Sequence, residues 1–197
     1  MLQFEKIIKP SMEDVVLDVG GYPITWTPRP QLTSRVDCIN THPVKWASDS
    51  YPEHRINPLV GDGCALEFED KSYSILFSNS VIEHVGDWES QKKFASEARR
   101  VGEKLWIQTP AFECPIEPHF LAPFVHWLPV KLRRRLLRWF TPWGWLQKPD
   151  MEEIDERIYY TRLLTKKQML ELFPDCEVIT ERMLGIIPKS YVAYRLE

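Results

Sequence analysis

Three short apolar runs in this chain of 197 residues end in groups suited to holding a nucleoside. The first, Val15 to Val19, carries Asp18 and runs into Gly20-Gly21. The second, Arg35 to Ile39, carries Asp37, 19 residues beyond Asp18, with Cys38 beside it. The third, Leu59-Val60, opens onto Gly61-Asp62-Gly63-Cys64. A glycine turn lets backbone amides come close to a ligand, because glycine has no Cβ. A carboxylate ending a second strand can accept both ribose hydroxyl protons, and a spacing of about 20 residues is that of dinucleotide-binding folds. Asp62 can accept from an adenine amino group, with the amides of Gly63 and Cys64 against the ring. Each feature alone reads as a turn or a loop cap. In this order and at these spacings they read as one cofactor site.

Such groups converge only where parallel strands end side by side. Leu2 to Lys9 is expected to form a short helix stopped by Pro10, before the first strand. A helix would normally follow Gly21, but Tyr22 to Arg35 contains Pro23, Pro28 and Pro30. Each proline lacks an N–H and turns its predecessor away from helical angles, so this crossover is expected to be loop. The residues from Ile39 to Leu59, rich in Pro, Asn and Ser, are expected to be irregular. Tyr73 to Ser78 and Lys104 to Thr109 read as the fourth and fifth strands. Between them Trp88 to Val101 has helical periodicity, with Phe94, Ala98 and Val101 on one face. Thr165 caps a helix through Phe173, and Glu177 to Arg182 with Ser190 to Arg195 close the sheet. The fold class is α/β: one domain over residues 1–197, with 111–149 as an insertion or lid.

The bulk composition excludes several classes. A net charge of −3 argues against a dedicated nucleic-acid binder. Cys38, Cys64, Cys114 and Cys176 are widely spaced, with no C-x-x-C pair, and read as reduced thiols. The first ten residues are neither a signal nor a transit peptide, and no run reaches the ~18 apolar residues of a membrane span. The expected location is cytoplasmic, with peripheral membrane contact open.

Residues 61–85, GDGCALEFEDKSYSILFSNSVIEHV, resemble the middle of the type-11 class I methyltransferase domain family. The matching positions are Asp62, Leu66, Phe68, Asp70, Ser80, Glu83, His84 and Val85. Ala95 to Val101 and Lys104 to Pro110 resemble that family's next helix and fifth strand, so the likeness covers about residues 14–120. It implies a Rossmann-like sheet, mostly parallel with an antiparallel last strand, and S-adenosylmethionine (AdoMet) as cofactor. Asp18, Gly20, Gly21, Asp37, Cys38, Asp62, Gly63 and Cys64 would then line the cofactor site, with Asn79 and Ser80 toward the methionine portion. The chain departs from the family at Gly20-Gly21-Tyr22-Pro23, where G-x-G-x-G and a helix are usual. That departure implies a weaker hold on AdoMet, or a loop ordered by binding.

Methyl transfer is an in-line displacement and rests largely on alignment, so a base is needed only where the acceptor must lose a proton early. The candidates are His84, Glu117, His119 and His126. The resemblance places residues 110–120, PAFECPIEPHF, above the transferable methyl, with His119 as the first choice of base and a structural role for it equally open. Glu117, His119 and His126 are scattered in loop sequence, and no metal is expected there. Residues 126–146 place Leu132, Leu136, Trp139 and Phe140 on one helical face and Lys131, Arg134, Arg135 and Arg138 on the other. This segment reads as a lid burying its apolar face, as a membrane-interface helix or, less well given the net charge, as an RNA surface. The leading reading is an AdoMet-dependent methyltransferase acting, at oxygen, on a small or lipid- or glycan-linked acceptor. The alternative is a non-catalytic protein of this fold that binds a partner through the Trp- and Arg-rich insertion. A nicotinamide dehydrogenase is excluded, because Pro23 and Pro28 stand where its glycine loop must open a helix.

Overall fold

A computed structural model gives the structure of the protein and describes residues 1–46 and 50–197. Its strands are β1 (Val15–Val19), β2 (Arg35–Asn40), β3 (Ile56–Val60), β4 (Tyr73–Asn79), β5 (Gly102–Pro110), β6 (Ile116–Glu117), β7 (Ala122–Pro123), β8 (Glu177–Met183) and β9 (Ile187–Arg195). Seven of them form one sheet in the order β3-β2-β1-β4-β5-β9-β8. The first five pair in parallel, and β9 runs antiparallel between β5 and β8. The strand order reverses between β1 and β4, where sheets of this kind open a ligand crevice beyond the C-terminal strand ends. The α/β class and the antiparallel closing strand are as the sequence implies.

One sheet face is covered by helices. Helix α2 (Trp88–Val101) starts at Asp87, whose carboxylate accepts from the Ser90 amide at 2.9 Å. It buries Phe94, Ala95, Ala98 and Val101 against Leu17, Val19 and Leu76. Helix α6 (Lys166–Leu172) starts in a reciprocal Thr165–Gln168 capping box and adds Met169 and Leu172 to the same core.

The other face lacks a helix after β1, as the three prolines require. A single 3-10 turn (Pro23–Thr25) stands there instead, followed by the buried Trp26. Helix α1 (Leu2–Ile8) closes this face through Phe4, which is fully buried. The Phe4 ring meets Phe77, Trp106 and Trp26 edge-on, with centroids 5.1, 5.8 and 6.0 Å away. Burying a ring of that size stabilises by roughly 1.5–3 kcal/mol, so an aromatic cluster substitutes here for a crossover helix.

Three readings change. The third strand has five residues rather than Leu59-Val60 alone, and it tolerates Pro58 because it is an edge strand with a partner on one side only. Residues 47–49 of the connection expected to be irregular lie outside the described residues. The insertion also continues past residue 149. It comprises the β6–β7 hairpin, α3 (Val130–Phe140), α4 (Pro142–Gln147) and α5 (Met151–Tyr159). These enclose a small core of Phe120, Ala122, Val125, Leu137 and Ile154. On α3 only Leu137 is buried, while Trp139 and Phe140 are 65% and 70% exposed. The expected lid face of Leu132, Leu136, Trp139 and Phe140 is therefore not the packed one, because α5 sits against Leu137 and rotates that stripe outward. No helix among the described residues is long and apolar enough to cross a membrane.

Candidate active site

The ends of β1, β2 and β4 and the loop after β3 enclose a crevice of about 760 Å³, within the size range of small-molecule sites. Gly20, Asn40, Asp62, Gly63, Ser80 and His84 line it, and Cys64 stands beside Gly63. Gly20 has φ +77°, and a Cβ there would come within 2.5 Å of the Val81 side chain. Only glycine fits that position. Asn40 closes the turn by donating its Nδ2–H to the Gly21 carbonyl at 2.7 Å. The exposed Asp62 accepts from the Cys64 amide at 2.8 Å with Oδ1, which leaves Oδ2 available. Burial, and then the neighbouring Asp62 charge, push the Cys64 thiol up to about 11, so it remains protonated. Of the residues expected to hold a cofactor, the structure brings Gly20, Asp62, Gly63, Cys64 and Ser80 together at the crevice, with Gly21 following Gly20 in the turn.

Asp18, Asp37, Cys38 and Asn79 stand elsewhere. Asp18 points to the face covered by α1, is 1% exposed, and accepts from Trp26 Nε1 at 2.8 Å. Burial raises its carboxyl to about 7, against the opposing effect of the Trp26 bond. Asp37 is not at the end of β2. It pairs in register with Leu17, three residues before the terminal Asn40, and is buried under the Tyr73 hydroxyl at 2.8 Å with Arg35 alongside. Asp37 sits in the middle of Arg35–Asn40, so the 19-residue spacing lands on a mid-strand residue rather than on the strand end. Asn40 occupies the strand end, and only the β1–β2 register locates it. Cys38 is fully buried on the α1 face. Asn79 is exposed and lines a neighbouring cavity of about 520 Å³, together with Gln108, Pro110 and Pro118.

Ser80 lines both the crevice and that neighbouring cavity. Its φ of +58° is strained for a residue with a Cβ, and its hydroxyl donates to Gln108 Oε1 at 3.0 Å. Strain of this kind persists where surrounding structure over-determines it, commonly at binding sites.

Beside Ser80, the loop after β4 and the β6–β7 hairpin meet in a buried polar cluster. His119 Nδ1 lies 2.6 Å from Oε1 of Glu117, whose Oε2 accepts from the Phe120 amide at 2.6 Å. Glu117 and Glu83 are both 0% exposed. Glu83 accepts from Thr109 Oγ1 at 2.9 Å with Oε2, whereas its Oε1 has no hydrogen bond and lies 4.0 Å from His119 Nε2. Burial lifts the Glu83 carboxyl to about 7 although the Thr109 bond acts against it. The His84 and His119 rings meet edge-on with centroids 4.5 Å apart, and His84 Nδ1 donates to the Tyr160 carbonyl at 2.8 Å. Burial lowers the pKa of His84 below the usual imidazole value. His84, Glu117 and His119 are therefore brought together, while His126 is held apart by a 2.9 Å bond from Nε2 to the Phe112 carbonyl. Glu83 completes the cluster; it belongs to the Ser-x-x-Glu-His-Val run but has no partner visible in sequence.

Residues 20–104 match the model of the methyltransferase domain family. No curated protein sequence matches the chain. Solved structures are similar throughout its length. An S-adenosylmethionine-dependent methyltransferase from Methanosarcina mazei has 15% identity and a TM-score of 0.56, over 93% of this chain and 92% of that one. One from Aquifex aeolicus has 14% identity and a TM-score of 0.56, over 96% and 87%. The N-methyltransferase NodS from Bradyrhizobium japonicum has 11% identity and a TM-score of 0.56, over 98% and 91%. At these identities the structures speak for the fold, and the family match runs through the residues that form the crevice. Residues 20–104 thus carry the methyltransferase domain match, and the whole chain has the fold of S-adenosylmethionine-dependent methyltransferases.

Proposed function

We propose that this methyltransferase acts at oxygen on a lipid- or glycan-linked acceptor, with His119, oriented by Glu117, receiving the acceptor's proton. AdoMet supplies the methyl as an electrophile carried on a sulfonium. The crevice fits it in size and in the free carboxylate oxygen of Asp62. Asp62 would accept from the adenine amino group, Asn40 would face the ribose, and Ser80 would stand where cofactor and acceptor meet. The neighbouring cavity shares Ser80 with the crevice and takes in Pro118, the residue before His119, which supports placing the acceptor at the boundary between the two.

The observation that carries the oxygen reading is the 2.6 Å contact between Glu117 and His119. A buried carboxylate on Nδ1 keeps that nitrogen protonated and leaves Nε2 as the proton acceptor, a useful arrangement for a hydroxyl and dispensable for a free amine. The reading of a lipid-linked acceptor is supported by the exposed band of Trp139, Phe140, Trp145 and Leu146 beside Lys131, Arg135 and Arg138. Indole rings at headgroup depth with cations against lipid phosphates are the pattern of interfacial helices. Arg134 is committed to Asp155 at 2.5 Å and contributes less.

The test uses AdoMet labelled in its methyl group, with a membrane lipid extract and a soluble metabolite fraction as competing acceptors. Label should enter the organic phase in a base-stable, oxygen-bound form and fall by about 10²–10⁴-fold for His119→Ala, the span of general-base catalysis. Label confined to the aqueous phase would refute the lipid reading, and label on nitrogen would refute the oxygen reading.

A further inference from the structure

We propose that Glu83, His84 and His119 form a binding site for a divalent transition metal, with Glu117 and the Tyr160 carbonyl as its supporting shell. One oxygen or nitrogen atom from each of the three ligands lies within 4.8 Å of the others. A tetrahedral ion with bonds of about 2.0–2.1 Å needs ligand atoms roughly 3.3 Å apart, so small side-chain shifts would close the site. The hydrogen bonds already match what a metal requires. His84 Nδ1 bonds to a backbone carbonyl and His119 Nδ1 to a buried carboxylate, which leaves both Nε2 lone pairs free. Metal-bound histidines are almost always held this way through their other nitrogen.

The third ligand supplies a separate observation. Glu83 is fully buried, and its Oε1 has no hydrogen-bond partner although it faces His119 Nε2. An unsatisfied buried oxygen destabilises the fold, and a cation beside it would satisfy it. Two imidazoles and one carboxylate suit zinc or ferrous iron rather than magnesium, and they leave a coordination position open. His84 lines the cofactor crevice, so the site borders it. An ion bound there would take His119 as a ligand in place of the base role proposed above, and would acidify an acceptor hydroxyl whose proton would then pass to solvent. The ligands come from two loops, residues 82–84 and 117–119, which is why Glu117, His119 and His126 alone do not suggest the site.

The full chain, stripped with EDTA, is titrated with Co²⁺ and then with Zn²⁺ against a chromophoric chelator. One Co²⁺ per chain should bind with visible d–d absorption, Zn²⁺ should displace it, and excess Mg²⁺ should not. His84→Ala and His119→Ala should each abolish the band, and Glu117→Gln should weaken Zn²⁺ binding about 10–100-fold. Glu83→Gln should do the same or more. Should that variant lose its circular dichroism spectrum, the less buried His84 carries the test. No d–d band, or a band that survives both histidine substitutions, would overturn the site. AdoMet binding measured in EDTA reads the cofactor crevice by itself, so loss of the metal site and loss of the cofactor reading give different results.

Discussion

Trp26 donates its indole N–H to Asp18 Oδ2 at 2.8 Å and so joins the first strand to a crossover that has no helix. Asp18 stands two residues before Gly20, yet it lies beneath the glycine turn and does not line the crevice. A Cβ on Gly21 would fall within 1.8 Å of its carboxylate. The tight turn, the aspartate and the tryptophan form one packed unit.

A pH dependence follows. Burial raises the Asp18 carboxyl to about 7, whereas in an unfolded chain it titrates near 3.9. Between those values the native state holds the extra proton. The stability contributed by this group is full below about pH 4, declines as pH rises to about 7, and is flat above. Asp18→Asn keeps an acceptor for Trp26 without a buried charge. It should raise Tm at pH 8 by roughly 2–4 °C, about 1 kcal/mol at this chain length, and change it little at pH 4. A lower Tm at pH 8 would show that the carboxylate is needed.

Asp37 and Asn40 should separate stability from cofactor binding. Asp37→Ala leaves the Tyr73 hydroxyl unpaired in the core and should cost about 1–3 kcal/mol of stability, with AdoMet affinity within twofold of the parent. Asn40→Ala frees the Gly21 carbonyl at the crevice and should weaken AdoMet by about 1–2 kcal/mol, roughly 5–30-fold, with little change in Tm. Calorimetry and thermal melts read both. The opposite pattern would restore Asp37 to the ribose.

Asp62 is tested through the base it recognises. Asp62→Asn replaces an accepting oxygen by a donating amide and should weaken adenosine ligands by about 1–2 kcal/mol. S-inosyl analogues, which lack the amino group, should lose less. Equal losses would reduce Asp62 to the turn it makes with Cys64.

The exposed face of α3 and α4 should bind membranes. Liposomes with anionic headgroups should shift tryptophan emission to the blue through Trp139 and Trp145, which are 65% and 59% exposed. Charge reversal of Lys131, Arg135 and Arg138 should abolish binding, at about 1 kcal/mol per basic residue near such a surface, with AdoMet affinity intact. No binding at low salt would leave the insertion as a cover over a soluble acceptor.

The sequence by itself determined the sheet, its glycine turns and the missing crossover helix. Strand periodicity, proline chemistry and helix caps are local, so Val15 to Val19, Pro23 to Pro30 and the Thr165–Gln168 box can be read residue by residue. The Gly61-Asp62-Gly63-Cys64 edge was legible for the same reason. Only the tertiary structure decided which polar residue reaches the crevice, because strand register fixes depth and face together. That register put Asn40 at the edge and Asp37 in the core. It also decided that α5 packs on Leu137, which turns Trp139 and Phe140 outward. The pairing of Glu83 and His84 with Glu117 and His119 joins two loops more than 30 residues apart in the chain. Sheet topology brings those loops to one edge, and no local rule of sequence encodes that meeting.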